Sequence, residues 1–354
     1  MIRKKQPGYI LMLTLALIAL CMFLVTYLTN KTMVFSSFSK TMVAREKARQ
    51  LAYSGIELAR SVLAQAAPVE KQEAGQAKPT QAPESATSKD AKLLLKNILP
   101  TLNNRQQFTL KKSIDGIEGT IAIAIGSEEG KININRLYDF NKHKFINEGQ
   151  PKNDGKKFMQ DIFTMIKDQT GQDLFGPFER FMAKQEYPLA DVTQLLSVPE
   201  FEWFKNNIFY DPMVAKSKDS KKVDVYLTDV FTLWSSKDTL EPWLLSSSVQ
   251  NLFKFKKPEQ IAFDEVIKKF KETIALPKNG QELLKALYNS EFASLPAPVQ
   301  AMIGTKFDPK VFWVMSSGTI ANVSVSMLAI LEREKSGDKN APGYDVNIKK
   351  IYLI

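Results

Sequence analysis

The sequence predicts an α+β fold: a long N-terminal helix, first membrane-spanning and then amphipathic, packed on a mixed sheet, with a mainly helical domain inserted between the two halves of that sheet. Three observations predict it. No charged residue occurs from Tyr9 to Leu28, and neither proline nor glycine interrupts the chain from Tyr9 to Ser54. Apolar residues alternate with period two at both ends of the remaining chain, and helical spacing fills the stretch between them.

The N-terminal element follows from length and charge. Twenty residues at about 1.5 Å each cover roughly 30 Å, the thickness of a hydrocarbon core. Arg3, Lys4 and Lys5 precede the segment and Lys31 is the next charge, so the positive-inside bias keeps the N-terminus cytoplasmic and puts the bulk of the chain outside. A cleaved secretory signal would be shorter and end in a small-x-small site, which Tyr27-Leu28-Thr29-Asn30 does not offer. Past Val43 the helix becomes one-sided. Ala44, Ala48, Leu51, Ala52, Gly55, Ile56, Ala59, Val62 and Leu63 recur at the spacings of one face, and Arg45, Glu46, Arg49, Glu57 and Arg60 fall on the other. A helix over 9–65 would be about 85 Å long and cannot bury this stripe against itself, so it packs on its own domain, on sister helices, or on both.

Segment 66–91 changes to Ala, Gln, Pro, Glu, Lys, Ser and Thr, punctuated by Pro68, Pro79 and Pro83, and reads as a linker. The first part of the sheet is expected in 92–155, after a short helix near 93–99. Phe108, Leu110 and Ile114 mark one strand and Ile117, Ile121, Ile123 and Ile125 the next, with Asp115-Gly116 as the turn; Ile132 and Ile134 mark a third beyond Glu128-Glu129-Gly130. The second part, 304–354, alternates at 311–315, 323–327 and 344–348, with turns at Ser317-Gly318 and Ala341-Pro342-Gly343. Between them, 156–303 is expected to be helical. Phe158, Ile162, Phe163 and Ile166 form a face; Val192, Leu195, Leu196, Trp203, Phe204 and Ile208 suggest a helix pair; Val266, Phe270, Leu283, Leu284 and Leu287 continue the pattern.

Composition excludes several chemistries. Cys21 and His143 are the single residues of their kinds among 354, which removes disulfide scaffolds, thiolate metal sites and histidine-based catalysis. The net charge of +10 is a lysine excess spread along the chain rather than an arginine-rich groove. The turn Pro199-Glu200-Phe201 lacks the glycines of a phosphate-binding helical hairpin, so no nucleic acid is expected. No P-loop, Gly-x-Ser-x-Gly elbow or His-Glu-x-x-His helix occurs, and no catalytic residue is assigned. The acid pairs Glu128/Glu129 and Asp224/Asp229 fit a glycosidase site, a cation site or, most simply, a solvated face. Trp203, Trp234, Trp243 and Trp313 are expected in the core.

A basic leader ending in Gly8, a bulky Tyr9 and an unbroken apolar helix resemble a type IV pilin-like prepilin. The resemblance implies cleavage of leader 1–8 by a prepilin peptidase between Gly8 and Tyr9, methylation of the new terminus, and storage in inner-membrane lipid through Tyr9–Leu28. Leu13 stands where most members carry a glutamate, a departure characteristic of the K-type minor pseudopilins of type II secretion. The run Ser127-Glu-Glu-Gly-Lys-Ile-Asn-Ile-Asn135, and the closing pair from Phe312 to Arg333, are similar to that family too. What it implies is a non-enzymatic subunit that bundles with other minor pseudopilins through Ala44, Ala48, Ala52, Gly55, Ala59 and Val62 and caps a secretion filament; no cofactor is required, and calcium is the metal the family would accommodate. Two other readings stay open: a minor pilin of a type IV pilus or competence filament, and a signal-anchored periplasmic enzyme.

Overall fold

The computed structural model describes residues 7–64, 102, 105–150, 153–212, 225–255, 292–304, 309–335 and 344–354. The expected linker 66–91, the helix near 93–99, the pattern from Val266 to Leu287, Asp224 and the turn 341–343 lie outside these residues, as does the side chain of Trp243.

A single helix, α1 (Pro7–Ala64), runs for 58 residues. Its last third lies on a five-stranded sheet whose order is β1-β2-β7-β8-β9, formed by β1 (Arg105–Leu110), β2 (Gly119–Ser127), β7 (Val311–Ile320), β8 (Val323–Lys335) and β9 (Tyr344–Leu353). Segments from both ends of the chain beyond α1 therefore meet at the β2–β7 pair, as the alternation predicts. The four strand pairings in this sheet are antiparallel, and an isolated parallel bridge joins Leu102 to Ile125 of β2. A parallel strand pair lies outside it: β3 (Ile132–Asn133) with β6 (Phe231–Thr232), two residues each. Ile132 and Ile134 thus do not extend the main sheet; Ile134 opens a single helical turn capped by the Asn133 side chain. A small hairpin, β4 (Tyr138–Asp139) and β5 (Lys144–Phe145), follows.

Period two divides the sheet into two buried faces. Ile121, Ile123, Ile125, Phe312, Val314, Met327, Ala329, Leu331 and Val346 meet α1. Ala124, Val311, Trp313, Met315, Leu328 and Ile330 turn the other way, toward Phe209 and Trp234. The sheet is therefore the middle layer between α1 and the inserted domain. That domain has its own core, built on α2 (Gly155–Thr170) and α3 (Phe175–Ala183), with Phe158, Phe163, Phe178, Phe201, Phe204 and Phe231 essentially solvent-free. Its face at Phe158, Ile162, Phe163 and Ile166 is the one read from the sequence. The expected helix pair consists of two 3-10 segments, Val192–Ser197 and Pro199–Asn206.

Two turns differ from expectation. Ser317-Gly318 lies inside β7, and the hairpin reverses instead at Ala321-Asn322, with Ala321 at φ 50°. Gly318 is small because α1 passes directly over it: an added Cβ would stand 2.1 Å from the Ala48 carbonyl oxygen and 2.7 Å from the Ala52 nitrogen. Between β1 and β2, the turn widens to a loop through a short helical turn, Lys112–Asp115, that leaves Ile114 78% exposed and outside any strand.

Two arginines fasten the far end of α1. The Arg333 Nε donates to the Leu63 carbonyl at 2.8 Å, satisfying one of the helix's terminal acceptors with a cation, and its guanidinium stacks 3.2 Å over Tyr344. The Arg60 Nε donates to the Val346 carbonyl at 2.7 Å, tying the helix to the edge strand.

Candidate functional site

Three features stand out from the residues upward: the exposed part of α1, the margins of the sheet beside it, and a buried polar hub where sheet and inserted domain meet. No large side chain from Leu11 to Val43 is buried, and the most apolar 18-residue window of α1 has a mean hydropathy of 2.5. Leu13 is 56% exposed and Leu28 51%; Gly8 and Tyr9 lie within α1. The hydroxyls of Thr14, Thr26, Thr29, Thr32 and Thr41 all donate to carbonyls three or four residues back, so this stretch presents satisfied polar groups to its surroundings.

The small-residue stripe is placed differently from the sequence expectation. Ala48, Ala52 and Ala59 are at most 1% exposed, Gly55 is buried, and Ala44 and Val62 are half-buried. Their partners are in the chain's own sheet. A Cβ at Gly55 would stand 2.1 Å from the Ser316 Oγ, and Ser316 and Gly318 on β7 oppose Ala48, Ala52 and Gly55 on α1. Small residues on both surfaces let backbone approach backbone, and this intrachain contact leaves the stripe unable to receive a sister helix. A partner must use the remaining faces of α1, where Tyr53 and Leu58 are 44% and 40% exposed.

The hub grows from Ser127-Glu-Glu-Gly-Lys131, and the expectation that Glu128/Glu129 form a solvated face is corrected: they are 2% and 0% exposed. Lys131 Nζ pairs with the Glu128 carboxylate at 2.5 Å and lies 5.5 Å from the Trp313 ring centre, while the Thr232 hydroxyl donates to the other Glu128 oxygen. Glu129 accepts from the amides of Lys310 and Val311 at 3.0 and 2.9 Å and from the Ser127 hydroxyl at 2.7 Å. Burial nevertheless pushes the Glu129 carboxyl above the usual carboxylate range. Asp229, 2% exposed, is raised for the same reason, against the nearby Lys131 charge and the Ser248 amide at 2.7 Å. Gly130 is pressed against the carbonyl of Leu244, and the Glu129 carbonyl accepts from the Glu241 amide at 2.9 Å. The hub thus hydrogen-bonds β2, β7 and residues 229–248 of the inserted domain to one another. Among the described residues no group of three or more His, Cys, Asp or Glu side chains is arranged to hold a metal ion. The acids are already engaged with donors, and their arrangement is that of a structural joint.

No family model matches the chain, and no curated protein matches it. Among solved structures, the crystal structure of the GspK-GspI-GspJ complex from the enterotoxigenic Escherichia coli type 2 secretion system is similar to it: 11% identity, 91% of this chain and 99% of that chain covered, TM-score 0.39.

A second joint, unread in the sequence, holds the inserted domain to the C-terminal strand. Tyr352 donates from its hydroxyl to the Asp191 carboxylate at 2.8 Å, Lys350 Nζ is 3.7 Å from it, and Phe209 packs on the Tyr352 ring. Burial alone would raise the Asp191 carboxyl, but the Thr193 hydroxyl and amide, the Tyr352 hydroxyl and the Lys350 charge together hold it below its ordinary value. Burial and the same carboxylate push the Tyr352 phenol up. The only sequence signal was the N-cap Asp191 before Thr193, and nothing local joined it to a residue 161 positions away. Asp191→Asn or Tyr352→Phe should cost about 1–2 kcal/mol, read as a lower Tm of the full chain in detergent. Because the Asp191 pKa is depressed, its contribution is complete above the unfolded carboxylate value of about 4 and is lost as pH falls through the lower folded value. The wild-type advantage over Asp191→Asn should therefore shrink below about pH 4.

Proposed function

We propose that the chain is a K-type minor pseudopilin of a type II secretion system: a non-enzymatic inner-membrane subunit, N-terminus cytoplasmic, that joins other minor pseudopilins and caps the tip of a filament exporting folded proteins. The observation that carries this reading is the extent of exposed apolar helix. From Leu11 to Val43 the rod would be about 50 Å long, whereas a bilayer core covers roughly 30 Å. Met33, Val34, Phe35, Phe38 and Met42, all at least half exposed, remain beyond one such thickness and short of the sheet. A plain signal anchor has no need of that second stretch; a subunit withdrawn from lipid into a helical bundle does. The bulky inserted domain, docked on the sheet face opposite α1, supports a terminal position because it adds a layer that an ordinary helix-on-sheet subunit lacks. The family's prepilin peptidase would process the chain at Gly8 before Tyr9, and Leu13 in place of an acid suits a subunit with no helix above it to neutralise.

Mass spectrometry of the mature chain tests the reading, with an N-methylated Tyr9 as the expected terminus; an intact Met1 product overturns it. In the same cells, Phe35→Glu with Phe38→Glu should leave the Tm of the full chain unchanged and reduce secretion at least tenfold. Normal secretion would count against the bundle. Salt-sensitive DNA binding by the full chain would shift the reading to a competence filament.

A further inference from the structure

We propose that Lys131 and Glu128 condense to an amide once the chain has folded, so that the buried hub matures into a covalent cross-link whether or not the chain joins a filament. Local structure brings the two side chains together. The Lys131 amide donates to the Glu128 carbonyl at 3.1 Å, which closes a turn directly after β2. The middle of that turn is fixed, because Gly130 is pressed against the Leu244 carbonyl and the Glu129 carboxyl is held by the amides that open β7. Lys131 Nζ then lies 2.5 Å from Glu128 Oε1, with the two side chains 4% and 2% exposed.

The surroundings set this pair apart from an ordinary ion pair. Both side chains are shut off from water. Passage of the ammonium proton to Oε1 gives a neutral amine and a neutral acid in place of two charges that a dry site penalises. The Thr232 hydroxyl donates to the other oxygen, Oε2, and so polarises the carbon that the amine attacks. Asp229, itself buried, feels the Lys131 and Glu128 charges in opposite senses, and burial favours its protonated form, so a proton donor sits beside the pair. The Trp313 ring closes the site, 5.5 Å from Nζ. The lysine nitrogen adds to Glu128 Cδ, the Asp229 proton goes to Oε1, and Oε1 leaves as water. The surplus proton on nitrogen passes to Asp229, which ends as it began. One C–N bond replaces one C–O bond, and no oxidant, reductant or cofactor enters. Lys237 and Glu241, also in contact, make the contrast: the Lys237 side chain is 20% exposed, and water solvates its ammonium.

Tryptic digestion and tandem mass spectrometry of the unfolded full chain test this. The expected peptide starts at Ser113, is lighter than its sequence by one water, and runs uncut through the acylated Lys131 to Arg136, with no backbone fragments released between Glu128 and Lys131. Lys131→Arg keeps the cation but cannot form the amide, and its peptide should carry full mass. In folded Asp229→Asn the joined fraction should fall at least tenfold, and undiminished joining would overturn the part given to Asp229. The decisive reading is made on the wild-type chain, so a variant that fails to fold does not obscure it. A wild-type peptide of full mass, cut after Lys131, overturns the proposal. So does a loss of water mapped instead to Asp115-Gly116, where a succinimide would form, or to Lys237 and Glu241.

Discussion

Replacing Gly318 by alanine should detach α1 from its sheet. The added carbon would meet the Ala48 carbonyl oxygen at 2.1 Å, the Ala52 nitrogen at 2.7 Å and the Leu51 Cβ at 2.7 Å. Two of these are helix backbone, which cannot swing aside as a long side chain can, so helix and strand must separate along the contact that buries Ala48, Ala52, Ile56 and Ala59. The expected cost is about 3 kcal/mol or more, a fall of roughly 5–10 °C in the Tm of the detergent-solubilised chain. Gly176→Ala is the control: its nearest neighbour is the Arg180 guanidinium at 3.5 Å, and alanine suits its helix, so stability should stay level or rise slightly. Equal melting of wild type and Gly318→Ala would mean that α1 does not lie on β7 as described.

Glu129→Ala should unseat the joint between sheet and inserted domain, at a cost of about 3–4 kcal/mol. It withdraws the acceptor shared by the Lys310 and Val311 amides at the start of β7 and empties a site of 0% exposure. Glu129→Gln keeps an oxygen for those amides and a donor for the Ser127 hydroxyl, so it should fold near normally. The pH dependence separates charge from shape. Because burial raises the Glu129 pKa, its contribution is complete at low pH and is lost as pH rises through the raised value. Wild type should therefore lose stability relative to Glu129→Gln between mildly acidic and alkaline pH. A constant difference across that range would mean that the carboxyl is ionised throughout.

The helix and the strands were legible because each rests on a local period. Tyr9–Leu28 and the Ala44–Leu63 stripe read directly as α1, and alternation at 121–125, 311–315 and 323–327 read as strands. What the sequence concealed depended on distant partners. Ser317-Gly318 has the composition of a turn, but its size answers to α1 more than 250 residues earlier in the chain. The Ala44–Val62 stripe states that a close neighbour exists without naming it, and the neighbour is the chain's own β7. Glu128 and Glu129 look like surface acids until Lys131, Thr232 and the β7 amides are assembled around them. Tyr352 and Asp191, 161 residues apart, could not be joined by any spacing rule.

The way α1 is fastened has a mechanical consequence. The helix leans its whole last third along the sheet and is pinned at its far end by Arg60 and Arg333. Thrust or tension travelling up the rod enters the head parallel to that contact, so every contact row shares the load at once and none is peeled open ahead of the others. A rod glued along its length in this manner carries the head with it as one piece.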